Sequence, residues 1–375
     1  MKEYVYADNA ATTKLDIDAF EAMKPFLLEA YGNASQPYSF AQIAKRAVKN
    51  ARETIAKCIG ALPEEIYFTS GGTESNNWVI KSSVSSDSKK QTIITSQIEH
   101  HAILHACTAI ESLGYPVIYL PVTNTGEVLP ETLVDSISEN TKLVSVMFAN
   151  NEIGSVQPIK KLVQIAHRHG ALFHTDAVQA VGHIKLDVHE LGVDFLSASA
   201  HKFNGPKGVG FLYIRKGVNI PPYIDGGSQE FGLRAGTENV AGIVGMATAL
   251  EKNCANIDKT AKHLHELETH LIGFLQKNDI EYVRNGSANR TPGNISLSFK
   301  NANGEGILHR LDLMGICVST GSACDSKNTQ VSHVLRAVTL DDEYANGTIR
   351  ISLGPNNTLE EVERIATCLI KILKK

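Results

Sequence analysis

Residues 143–179, LVSVMFANNEIGSVQPIKKLVQIAHRHGALFHTDAVQ, decide the fold. An apolar, β-rich run at 143–148 gives way to the polar cluster ANNEIG. Apolar residues then recur with helical spacing over 159–169, and a second β-rich run follows at 172–174. The same alternation holds from residue 60 to about 215, with further strands expected at 66–69, 92–96, 116–120, 195–197 and 210–214. Strands alternating with helices predict an α/β fold whose central sheet is mostly parallel and covered by helices on both faces. In such a sheet functional groups collect at the carboxyl ends of the strands. Polar clusters stand at those ends here: SGGTESN after the first run, ANNEIG after Phe148, TDAVQ after His174 and SASAHK after Leu196. Pattern alone therefore locates a site.

Outside this block the pattern changes. Upstream, Ile43, Ala47, Ala51, Ile55 and Ile59 recur every four residues and predict one buried helical face. The polar stretch 82–90, SSVSSDSKK, reads as a surface loop between a helix and a strand. Downstream, Leu264, Leu267, Leu271 and Phe274 mark an amphipathic helix, and 294–299 and 349–353 read as strands. Thr358 with Glu361 forms a capping box for a last helix. These features predict a second, smaller α+β domain beginning near residue 256. At 375 residues the chain is long enough for two domains, and with 43% hydrophobic residues it is too apolar to be largely disordered. A formal charge of −4 offers no basic excess for nucleic acid or an anionic membrane. No apolar run approaches the roughly 18 residues of a membrane span, and MKEYVYADNAATT lacks the apolar core of a secretory signal. Six scattered cysteines make no disulfide framework. The expectation is a soluble, cytoplasmic protein.

Several side chains carry chemistry in this pattern. Lys202, in SAHKFNGPKGVG at 199–210, follows a strand and precedes a glycine-rich turn, where its amine can project into a cleft and condense with an aldehyde. A surface lysine is the competing reading, and it holds for Lys207. Asp176 ends a strand, where a buried carboxylate needs a cationic or donor partner; capping the next helix is the alternative. SGGTES at 70–75 lets backbone approach an anion at a helix start, although any tight strand–helix turn has the same look. His101 and His105 stand one helical turn apart, but no further ligand at a convincing spacing supports a metal; a ring packed on a flat cofactor suits one histidine of this group better. Cys324, amid small residues in STGSAC at 319–324, reads as an exposed, reactive thiol. Cys58, Cys107, Cys254, Cys317 and Cys368 read as inert fillers.

Taken in order, YADNAATT (6–13), YGNAS (31–35), FTSGGTESNN (68–77), IEHHAIL (98–104), NNEIG (150–154), HTDAVQ (174–179), SAHKFNGPKGVG (199–210), GLRAGTEN (232–239), STGSAC (319–324) and IRISLG (349–354) closely resemble the cysteine desulfurases. These are pyridoxal-phosphate enzymes of the class V aminotransferase group. The resemblance implies the type I fold of such enzymes, with a large cofactor domain over 15–255 and a small domain formed by 1–14 and 256–375. It implies pyridoxal 5'-phosphate held covalently by Lys202, with Asp176 on the pyridine nitrogen and Gln179 on the phenolic oxygen. His100 would stack on the ring and move protons. Gly72, Thr73, Ser199 and His201 would cradle the phosphate, joined by Thr237 from the other subunit of a homodimer. Asn151 and Arg350 would hold the substrate, L-cysteine, with Asn33 beside them. Cys324, on a loop near 319–330, would take the sulfur as a persulfide and release alanine.

The implied partner is a sulfur-acceptor protein, such as an iron–sulfur scaffold or a tRNA thiolation protein. No resident metal is implied, only a transient contact of Cys324 with an iron–sulfur cluster. Ala34, Gln36 and Tyr38 depart from the family's usual run on the substrate side, and Asp325 departs after the nucleophile. The competing activities are a lyase acting on selenocysteine or on cysteine sulfinate, and, from another class, a sulfur carrier on an inactive fold.

Overall fold

The computed structural model describes residues 4–85, 90–320 and 331–374. Its strands are β1 (Val5–Tyr6), β2 (Ile66–Thr69), β3 (Thr92–Ser96), β4 (Val117–Leu120), β5 (Thr141–Ser145), β6 (Leu172–Asp176), β7 (Phe195–Ser199), β8 (Gly210–Ile214), β9 (Val283–Arg284), β10 (Asn294–Ser298), β11 (Ile316–Cys317) and β12 (Thr348–Ser352). A seven-stranded sheet has the order β2-β8-β7-β6-β5-β3-β4. Every neighbouring pair is parallel except those of β8, which runs antiparallel to both β2 and β7. β7 and β8 are buried along their whole length, as expected of strands covered on both faces. One face packs on Ile55, Leu162, Val163 and Phe211, the other on Trp78, Ile103 and Leu212. The α/β fold with a mostly parallel sheet is as the sequence predicts.

A second core lies under a three-stranded antiparallel sheet of order β12-β10-β9. It contains Leu264, Leu267, Leu271, Ile295, Ile351 and Leu369, together with Val5 and Ala7 from the other end of the chain. β1 pairs in parallel with β11. The helix Val240–Lys277 crosses residue 256 without a break and runs for 38 residues. Its first half gives Ile243, Met246 and Leu250 to the first core, its second half Leu264 and Leu271 to the second. The stripe beginning at Leu264 is therefore the continuation of a helix that changes cores, not the start of a new one.

Two local expectations need correction. In helix Gln42–Ile59 the buried face is Ala44, Val48, Ala51, Ile55, Ala56 and Ile59, whereas Ile43 is 48% exposed. A strict four-residue step overshoots a helical turn by about 40°, so across four steps Ile43 drifts roughly 160° away from Ile59. The stretch from residue 82 is also not all loop: helix Gly72–Ser85 includes Ser82 and Ser83, both buried. Ser83 Oγ donates to the Val79 carbonyl at 2.6 Å, which satisfies a hydroxyl that composition alone assigns to solvent.

The last helix, Leu359–Leu373, starts on the expected capping box. Thr358 Oγ1 accepts from Glu361 N at 3.2 Å, and Glu361 Oε2 accepts from Thr358 N at 3.1 Å. Thr358→Ala is expected to lower unfolding free energy by about 1 kcal/mol in denaturant titration. No loss would mean that Glu361 alone holds this end.

Candidate active site

A cavity of ≈ 360 Å³ opens where β6 and β7 end, between the large sheet and β12. Lys202 reaches it from the connection between β7 and β8. That connection closes as an antiparallel hairpin, with Ala200 N donating to the Val209 carbonyl at 3.1 Å. Inside it, Ala200–Lys202 form one tight helical turn. Gly205 is packed so closely on Ala200 that a Cβ would stand 2.8 Å from the Ala200 Cβ. The turn is thus fixed by contact, and Lys202 Nζ donates to the carbonyls of Ala10 and Ala11 at 2.6 and 2.9 Å. Gln179 Nε2 also donates to the Ala10 carbonyl, at 2.9 Å.

Asp176 ends β6 and is 5% exposed. Its Oδ1 accepts from Val178 N at 3.0 Å and its Oδ2 from Asn76 Nδ2 at 2.6 Å. Both of these donors are neutral, and Asp176 lines the cavity, where a carboxylate suits a cationic group. Across the cavity, Gly72 and Thr73 open helix Gly72–Ser85 directly after β2. A Cβ on Gly72 would stand 2.5 Å from Val178 Cγ2, so glycine lets this turn close on the loop that follows β6. The free N–H groups of a helix start favour an anion. Ser199 and His201 line the same cavity, and burial, assisted by the Lys202 and Lys207 charges, lowers the His201 pKa to about 4.

His100 is the N-cap of helix His101–Glu111, and its Nδ1 accepts from Ala102 N at 3.1 Å. An accepting Nδ1 leaves the proton on Nε2. Burial lowers its pKa; Asp176 opposes this, and Lys202, His101 and His105 reinforce it. The His101 and His105 rings lie face to face, with centroids 5.0 Å apart and planes at 7°, instead of converging on one point. Among the described residues no three or more His, Cys, Asp or Glu side chains are arranged to hold a metal.

Arg350 enters from β12 and is 6% exposed. Its Nη1 donates to the Asn151 carbonyl at 3.0 Å and its Nη2 to Asp8 Oδ1 at 2.7 Å. Its Nε is buried and has no partner among the described residues. Arg350, Asn151, Ser319 and Thr320 all line the cavity.

The structure therefore brings together Gly72, Thr73, His100, Asn151, Asp176, Gln179, Ser199, His201, Lys202 and Arg350. Asn33 is not among the lining residues: its Oδ1 accepts from Ser35 N at 2.9 Å in a local turn. Tyr38 is exposed and does not line the cavity either. Thr237 lines a separate hollow of ≈ 150 Å³ with Thr69 and Ser70, on the outer side of the turn that precedes Gly72. Cys324 and Asp325 fall outside the described residues. Sequence reading missed Asp8, Asn76 and Glu99 as individual site residues, although each lies inside a motif it quoted.

The cavity fits pyridoxal 5'-phosphate. A lysine amine, a buried aspartate and a glycine-lined helix start are the three groups that cofactor needs, for its aldehyde, its ring nitrogen and its phosphate. Lys202, Asp176 and the Gly72–Thr73 turn line one enclosure.

Glu99, beside His100, is completely buried. Its Oε1 accepts from Ser96 Oγ and Met147 N, at 2.6 and 2.9 Å. Burial raises its pKa from 4.5 to about 8, against these two donors and with a smaller push from Asp176. An unfolded chain releases this proton near 4.5, whereas the folded chain keeps it until about 8. The stability this group contributes is thus complete below 4.5 and is lost as pH rises through that window. Glu99→Gln cannot ionise, so the melting temperature of the variant minus that of wild type is expected to grow between pH 5 and pH 8. A difference that stays constant across those melts would show that Glu99 is ionised in the fold.

Comparison with known proteins agrees with this geometry. The family model described as aminotransferase class-V matches residues 5–365. A protein named cysteine desulfurase IscS from Dictyoglomus turgidum is 50% identical over 377 residues, covering 100% of this chain and 96% of that one. A solved structure of a NifS-like protein superposes with a TM-score of 0.94 at 41% identity, over 99% of this chain and 100% of that one. Another, of SspA in complex with cysteine, has a TM-score of 0.83 at 35% identity, over 94% and 100%.

Proposed function

From the premise that the chain belongs to the class-V aminotransferase family, among its cysteine desulfurases, we propose that it takes the sulfur of L-cysteine onto Cys324 and passes it to an acceptor protein. The observation that carries this reading is the convergence of Lys202, Asp176, His100 and Arg350 on one cavity. The enzyme depends on pyridoxal 5'-phosphate, which supplies an aldehyde for the substrate's amino group and a ring that draws electrons from its α-carbon.

The chain's own residues do the rest. Arg350 grips the α-carboxylate in the bidentate manner open to a guanidinium, with Asn151 beside it. Lys202 Nζ, pulled toward Ala10 and Ala11 by their carbonyls, is the base and acid that serves the α-carbon. His100 keeps its ring neutral and presents Nε2 to the same space. Asp176 would set its carboxylate against the ring nitrogen. The buried wall of Met147 and Ala149 keeps bulk water from the reacting atoms.

Ser319 and Thr320, at the cavity, lead directly into the segment that carries Cys324, which supports delivery of that thiol to the substrate's sulfur. The sulfur leaves as a persulfide on Cys324 and the carbon skeleton as alanine. The acceptor is a scaffold for iron–sulfur clusters or a thiolation protein. The enzyme works as a homodimer in the cytoplasm: Thr237 and Ser70, both exposed, border the outer hollow behind the phosphate turn, where a second subunit completes the cradle.

Wild type and Cys324→Ala, both loaded with cofactor, test the sulfur route. Alanine and sulfide release from L-cysteine are expected to fall at least a hundredfold in the variant while its visible absorbance persists, the scale of losing a covalent nucleophile. Undiminished alanine release would make Cys324 dispensable and turn attention to selenocysteine or cysteine sulfinate as the substrate.

A further inference from the structure

We propose that Asp8 is a positioning residue that aims Arg350 at the substrate's α-carboxylate, and that its charge bars amino acids bearing a second anion on the side chain. The inference rests on the desulfurase reading above and names what the site rejects. Arg350 is held at two of its three nitrogens: Nη2 by Asp8 Oδ1 at 2.7 Å and Nη1 by the Asn151 carbonyl at 3.0 Å. A guanidinium is planar and rigid, so two fixed donors fix the direction of the third. That third donor, Nε, is buried without a partner among the described residues, on a side chain that lines the cavity. With the second N–H that each terminal nitrogen keeps, it makes up the set of donors left for an incoming carboxylate.

The pair is built into the fold. Asp8 forms a parallel bridge with Ser352, on the strand that carries Arg350. Asn9 N donates to the Ser352 carbonyl at 3.0 Å, and Ser352 N to the Ala7 carbonyl at 2.8 Å. The Asn151 carbonyl is held from its other side by Asn294 Nδ2 at 3.2 Å. Neither anchor of the guanidinium depends on a free surface side chain.

Charge then sets the selectivity. Among the described residues lining the cavity the basic side chains besides histidine are Lys202 and Arg350, and the acidic ones are Asp8 and Asp176. His100 and His201 add no charge near neutrality, since burial lowers both. With Lys202 and Asp176 given to the cofactor, Arg350 is the one cation left among the described lining residues, and Asp8 already balances it. A single α-carboxylate gains a charge-assisted bond there. A sulfinate on the side chain finds no further cation among the described lining residues and faces Asp8 inside ≈ 360 Å³, over distances short against the ~10 Å screening length. The neutral thiol of cysteine meets no such penalty.

Wild type, Asp8→Asn and Asp8→Ala holoenzymes are compared on L-cysteine and L-cysteine sulfinate, with calorimetric titration of L-alanine as the binding probe. Asp8→Ala is expected to raise both KM for L-cysteine and Kd for L-alanine about tenfold, with kcat within about threefold, as for loss of one charged hydrogen bond. Asp8→Asn keeps an acceptor oxygen without the charge. Its KM rises less than that of Asp8→Ala, while its kcat/KM for sulfinate relative to cysteine rises about tenfold. Unchanged KM and Kd in Asp8→Ala would overturn the positioning role, and a wild-type ratio in Asp8→Asn would overturn the filter. Melting curves and cofactor absorbance on each variant report folding; Asp8→Asn, which is isosteric, carries the test if Asp8→Ala does not fold. Wild type inactive on L-cysteine would instead remove the desulfurase reading, and the L-alanine titrations would still decide the role of Asp8.

Discussion

The carbonyl oxygen of Ala10 accepts from Lys202 Nζ at 2.6 Å and from Gln179 Nε2 at 2.9 Å. Around this one acceptor the site is assembled. Ala10 belongs to a short run of chain whose backbone is tied on one side to β12, through Asn9 N and the Ser352 carbonyl. On the other side it is tied to the β7–β8 connection, through Thr13 N, which donates to the His201 carbonyl at 2.9 Å. The residues that approach the substrate from the small core and the lysine from the large sheet are therefore held in register by a strap only a few residues long. A misplacement of 1 Å can cost a catalyst about a hundredfold, so a strap of backbone hydrogen bonds suits the task better than side-chain packing alone.

The electrostatics of the cavity follow from burial more than from pairing. His100 and His201 are held neutral, and Glu99 and Glu152 have their pKa raised, to about 8 and about 7, with burial the first cause in each case. Glu152 is further tied to the element that follows the cysteine segment, since Ser332 Oγ donates to its Oε2 at 2.6 Å. Among the described residues that line the cavity, Lys202 and Arg350 stand opposite Asp8 and Asp176. A site with few charges and low effective dielectric makes each one count, both for gripping a carboxylate and for refusing a second.

Much of this was legible in the sequence because it depends on local pattern. Strands 66–69, 92–96 and 210–214 form at those residues, since β-rich runs bounded by polar turns leave little choice of register. The polar clusters at strand ends marked the cavity wall residue by residue, from Gly72 to Lys202. What was not legible is tertiary. The antiparallel direction of β8 has no signature in a five-residue apolar run buried on both faces. The 38-residue helix hides its continuity because its buried stripe changes direction where it passes from one core to the other. Asp8 and Asn76 act through Arg350 and Asp176, partners 342 and 100 positions away in order of chain, and no spacing rule reaches that far. Ile43 shows the opposite failing, a pattern too regular for a helix of 3.6 residues per turn.

The central claim is that this cavity holds pyridoxal 5'-phosphate through Lys202. The most direct measurement is borohydride reduction of the protein incubated with pyridoxal 5'-phosphate, followed by peptide mass spectrometry. The account predicts a stable pyridoxyl adduct on Lys202, with Lys207, only five residues on, unmodified. An adduct confined to other lysines, or none at all, would contradict it.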